Sequence, residues 1–177
     1  PKPQNPRHSK LYNCYLIQKM KFSALALIAG ASAANFPGFD SFHASCQFET
    51  VSDKSCADTY TTLQGVLSDF ETNNTDPAHG FYAKKQVATS SQLWYTRLTG
   101  GKKYTDDMEY LLSDTSAGCK ITANSRSQSL SYYDYYTNYC NIYNPLRQST
   151  LNFSEPKTTK CKYAPAMNDR SAACDAN

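Results

Sequence analysis

Three carboxylates, Asp106, Asp107 and Glu109, lie close together in the chain. General acid–base work or calcium binding needs at least two convergent oxygens. On a strand, Asp107 and Glu109 share one face and Asp106 takes the other. The spacing therefore predicts a solvated hairpin strand facing Arg97, Lys102 and Lys103, not a reacting pair. Downstream of residue 20 the histidines are His43 and His79, and no G-x-S-x-G turn offers a serine nucleophile. Neither G-x-G-x-x-G nor G-x-x-x-x-G-K-[ST] occurs, so no phosphate cradle and no cofactor is implied. These absences favour a binding protein; a reaction run by Asp106, Asp107 or Glu109 is the outside alternative.

Residues 125–144 are the most distinctive stretch. They hold Tyr132, Tyr133, Tyr135, Tyr136, Tyr139 and Tyr143, six of the chain's 14 tyrosines, with Asp134, Asn138 and Cys140 among them. Phenol rings beside hydrogen-bonding groups suit sugars, whose C–H faces stack on aromatics while their hydroxyls pair with Asp and Asn. Tyrosine is also enriched at protein contacts. Read as a strand over 128–136, Leu130, Tyr132, Asp134 and Tyr136 share one face, and Ser129, Ser131, Tyr133 and Tyr135 the other. The predicted binding surface is Tyr132, Tyr133, Asp134, Tyr135, Tyr136 and Asn138, extended by Trp94 and Tyr95 from a neighbouring strand. The plainer alternative, tyrosine filling a half-buried pleat, accounts for single rings better than for the whole run, because a core alone favours Val, Ile and Leu.

Six cysteines, Cys46, Cys56, Cys119, Cys140, Cys161 and Cys174, follow residue 20; the seventh, Cys14, precedes it. An even number implies a disulfide framework with fifteen possible pairings. No pair has zinc-site spacing, so no metal is expected. Once they pair, none is left as a nucleophile. Asn73 with Thr75, and Asn152 with Ser154, match the N-glycosylation sequon in predicted loops.

The N-terminal region sets the compartment. Residues 20–33 carry a short basic start, an apolar centre from Phe22 to Ala29 and small residues at Ala31 and Ala33. That is the layout of a secretory signal peptide, far short of the roughly 20 apolar residues of a spanning helix. The expectation is translation from Met20, with 1–19 an upstream read-through and 34–177 a single secreted domain whose C-terminal tail is anchored by disulfides. The full chain's net charge of +3 includes Lys2, Arg7, Lys10, Lys19 and Lys21; without them 13 Lys and Arg stand against 15 Asp and Glu. A domain near −2 has no patch for phosphates, which excludes nucleic acid as a partner.

The elements that must position these groups follow from periodicity. Cys56, Tyr60, Leu63, Leu67 and Phe70 fall on one helical face, with Ser55 and Asp58 spaced as a capping box and Pro77 beyond the end. A brief strand is predicted within 42–51. From Gly80 the pattern alternates, predicting strands over 81–88, 92–99, 103–112, 119–125 and 128–136, with Gly100 and Gly101 as a two-residue hairpin. Residues 138–147 read as a last strand or a short helix before Pro145. Connections this short force antiparallel pairing. The predicted fold is α+β: one N-terminal amphipathic helix on a curled antiparallel meander of four to six strands, stabilised by disulfides.

The expected function is a secreted binding module recognising an extracellular glycan or other polar ligand through the Tyr-rich strand. The alternatives are a carrier holding a small amphiphilic ligand inside the curled sheet, and a structural or adhesive surface protein.

Overall fold

A computed structural model describes residues 35–177, residue 88 excepted. The predicted read-through and signal peptide lie outside the described residues. The fold is α+β, built on a six-stranded, wholly antiparallel sheet of order β2-β3-β4-β5-β1-β6. Its strands are β1 (Ser45–Ser52), β2 (Phe81–Lys84), β3 (Gln92–Leu98), β4 (Thr105–Thr115), β5 (Gly118–Ser127) and the two-residue β6 (Lys157–Thr158). The helices are α1 (Cys56–Asn73), α2 (Thr137–Gln148) and α3 (Arg170–Asp175).

The first helix forms as its sequence dictates. The Ser55 hydroxyl accepts the Asp58 N–H at 3.1 Å and donates to the Asp58 carboxylate at 2.7 Å, closing the capping box. Leu63, Leu67 and Phe70 are buried on its inner face, and Asn74 closes it in the left-handed conformation. α1 and α2 cover the same face of the sheet. Phe70 meets Tyr82 edge-on at 5.1 Å, and Phe48 packs against Tyr139 at 5.7 Å. The core between them is closed by Leu93, Tyr110, Ile121 and Ile142, all fully buried. Each large apolar side chain sequestered this way contributes roughly 1.5–3 kcal/mol.

The three disulfides join Cys46 to Cys161, Cys56 to Cys119 and Cys140 to Cys174. One ties α1 to β5, and the other two hold the polar C-terminal stretch against β1 and α2.

Five expectations need correction. The amphipathic helix α1 follows β1 rather than leading the fold, and α2 and α3 join it. The sheet is flat and open-edged rather than curled. Residues 128–136 form no strand. β5 instead runs unbroken to Ser127, where its β4 partner is Asp106, and one further bond from the Gln128 N–H to the Thr105 carbonyl exhausts the ladder. Without a partner strand the chain bends, and Tyr135 (φ 48°) and Tyr136 (φ 72°) turn it into α2. The Gly100–Gly101 hairpin is a longer turn, in which Lys102 rather than a glycine takes the positive φ of 53°. Finally, Asp106, Asp107 and Glu109 are buried, not solvated.

Candidate functional site

Alternation along β4 sends its carboxylates to opposite faces. Asp107 and Glu109 lie on the face away from the helices. Asp107 accepts the Trp94 indole N–H at 3.0 Å and the Gln128 amide at 3.0 Å. Glu109 accepts amides from Gln92 and Asn124, each at 2.8 Å, and Gln47 continues the line by donating to Asn124 at 2.6 Å. These groups satisfy one another across β3, β4, β5 and β1, a structural polar ladder. Trp94 belongs to it and packs against Phe36 at 5.9 Å, while Tyr95 is buried under the helices.

Asp106 faces the helices, where a different chemistry converges. The register sets Tyr82, Arg97, Asp106 and Ser127 in one cross-strand row. Arg97, 1% exposed, gives two bonds to Asp76, at 3.1 and 3.0 Å. A Cβ at Gly80 would stand 2.3 Å from the Arg97 Nε, so only glycine lets that loop close over the ion pair. Three asparagines of α2 are spaced every third residue, and the first two bond to the row. Asn141 accepts from the Arg97 guanidinium at 3.0 Å and donates to Asp106 at 2.9 Å. Asn138 donates to Ser127 at 3.1 Å and accepts from Ser125 at 2.8 Å. Asn144 reaches the Cys174 carbonyl at 2.9 Å.

Asp134 completes the set. One carboxylate oxygen accepts the Asn138 backbone N–H at 3.1 Å and its side-chain amide at 2.9 Å, capping the first turn of α2. That cap draws Asp134 inward, while the two left-handed tyrosines that follow hold their rings outward. Such backbone conformations persist only where the surroundings over-determine them, and they concentrate at functional sites.

The result is a pocket of about 370 Å³. Its walls include Tyr104, from the end of the β3–β4 turn, and Tyr132, Tyr133 and Tyr135; its polar lining includes Asp106, Ser127, Asp134 and Thr137. The outer rings are accessible: Tyr133 is 65% and Tyr135 79% exposed. Asp106 and Asp134 are 1% and 7% exposed, and each keeps one carboxylate oxygen with no hydrogen-bond partner. Burial raises the Asp106 carboxyl above the ordinary carboxylate range, against hydrogen bonding from Asn141 and Ser127. A second hollow shares Tyr132 as a wall and is lined by Phe39, His43, Lys160 and Lys162.

Of the sequence-predicted binding residues, Tyr132, Tyr133, Asp134 and Tyr135 line one pocket. Asn138 supports it from behind by holding Asp134 and Ser127, and Tyr136 sets the turn into α2. Trp94 and Tyr95 are not among its lining residues. Sequence reasoning missed Tyr104, Thr137 and the inward Asp106; the available signal was the Asn138, Asn141, Asn144 period, which marks one polar helix face. The sequon residues Asn73 and Asn152 are both exposed. Among the described residues, no helix is long and apolar enough to cross a membrane. No protein-family model and no curated protein sequence matches the chain.

Proposed function

We propose that the chain is an extracellular binding module whose tyrosine-rimmed pocket takes a hydroxyl-rich ligand of the glycan class. The carrying observation is the pocket itself, lined by accessible phenol rings and by two buried carboxylates, each with one oxygen that has no hydrogen-bond partner. Rings of this kind stack on the C–H face of a sugar, and buried acceptors select hydroxyl donors, because an unmet acceptor costs about 1–3 kcal/mol. Three disulfides and the signal-peptide pattern of residues 20–33 support an exported setting. The exposure of Asn73 and Asn152 is what glycan attachment at those sequons requires. Short sheet edges, four residues in β2 and two in β6, disfavour assembly through strand pairing and so the adhesive alternative.

Probing an array of extracellular glycans with labelled protein tests this reading. The expected result is retention of a defined set that is lost in the Tyr133→Ser/Tyr135→Ser variant. Equal retention by both proteins would refute it.

A further inference from the structure

The charge inside the site does not balance. Arg97 is one buried guanidinium, and the buried acids around its row are Asp76, Asp106 and Asp134. Asp76 takes the ion pair with Arg97. Among the described residues neither Asp106 nor Asp134 forms an ion pair. Both are lining residues of the same pocket, and each holds one fully buried oxygen with no hydrogen-bond partner. A buried carboxylate without an ion-pair partner is stabilised by any cation that reaches it.

The walls argue for the cation. Tyr104, Tyr132, Tyr133 and Tyr135 line the pocket together with the two carboxylates, and phenol rings attract ammonium groups. Tyr132 already engages one: the Lys162 ammonium sits 3.4 Å from its ring centroid, on a residue of the adjoining hollow. Neutral sugar recognition leaves this excess of acid unexplained, since hydroxyls satisfy acceptors without neutralising charge.

We infer that the pocket binds an ammonium group, seated on Asp106 and Asp134 and enclosed by the tyrosines, and that its ligand is a sugar bearing a free amine. This rests on the glycan reading above and names the sugar class. Hydroxyls of the same ring pair with Ser127 and Thr137, which also line the pocket. A quaternary ammonium headgroup shares the cationic chemistry but offers no hydroxyls to those two residues.

Calorimetric titration of the whole chain with three probes separates these ideas. The probes are a β-1,4-glucosamine tetramer, its fully N-acetylated counterpart and tetramethylammonium. The free-amine tetramer is expected to bind at least about tenfold tighter than the acetylated one, the scale of one desolvated cation–π or charge contact. Asp134→Asn and Asp106→Asn should each remove most of that preference. Tyr135→Ser, at an exposed position remote from the core, should do so without threatening the fold. Equal binding of both tetramers overturns the ammonium inference and leaves the glycan reading standing. Binding of tetramethylammonium but neither tetramer supports the cation site and overturns the sugar assignment. No binding of any probe overturns the inference.

Discussion

Arg97 and Asp106 stand directly opposite each other in the β3–β4 ladder, yet they form no ion pair. The guanidinium is turned to Asp76, and it reaches Asp106 only through the Asn141 side-chain amide, which accepts from one and donates to the other. This division leaves Asp106 ionisable, buried and facing the tyrosine pocket.

Asp106 should therefore cost stability at neutral pH. Burial holds its carboxyl above the unfolded value, so the folded state keeps the proton to higher pH than the unfolded chain does. The proton stabilises folding below the unfolded value, and that gain is lost as pH rises through the folded one. Asp106→Asn is expected to raise the melting temperature at pH 7 by a few degrees, about 1 kcal/mol, and to change it little near pH 3. Thermal unfolding at the two pH values reads this directly. An equal shift at both would show that the charge is not responsible.

Asn141→Ala removes the bridge, taking one partner from Arg97, which keeps Asp76, and the amide donor from buried Asp106. A loss of about 2–4 kcal/mol is expected in denaturant unfolding, well beyond that of an exposed asparagine. A loss under about 0.5 kcal/mol would mean that Arg97 and Asp106 find other partners.

Replacing Cys140 and Cys174 with alanine opens a loop of 34 residues. Chain-entropy arguments give about 3–4 kcal/mol for a loop of this size. Because this disulfide joins α2 to the C-terminal stretch, the end of the chain should loosen before the sheet does. Limited proteolysis is expected to cut within 150–177 first, and an unchanged digestion pattern would contradict this.

Tyr133→Ser/Tyr135→Ser should separate stability from binding. Both rings are mostly exposed, so unfolding free energy should move by less than about 1 kcal/mol. Ligand retention should vanish. A large stability loss would make the rings structural.

What was legible in the sequence divides along physical lines. α1 and β3–β5 were readable because short-range pattern and tertiary environment agree there: Leu63, Leu67 and Phe70 all face the core, as their spacing requires. The cysteine framework was readable as a count, but its pairing depends on which strands become neighbours. Residues 128–136 misled because Ser129 and Ser131 alternate with Leu130 and Tyr132 as in a strand, while a strand also needs a partner and β4 begins at Thr105. The carboxylates misled for a related reason. Charge suggests solvent, and only the register reveals that Asp106 meets Asn141 while Asp107 meets Trp94. Helix α2 was ambiguous because Pro145 lies inside it, near its end, where the lost N–H matters least to the turns that hold the asparagines.

The central claim is that ligand sits among Tyr132, Tyr133 and Tyr135, and protection of tyrosines from nitration tests it most directly. With the protein alone, these three exposed rings should be nitrated, while the buried Tyr95 and Tyr110 should not. With the glucosamine tetramer at saturation, peptide mapping should show all three protected together, and exposed tyrosines outside the pocket unchanged. Saturation that leaves Tyr132, Tyr133 and Tyr135 as reactive as before would place the ligand elsewhere and contradict the account.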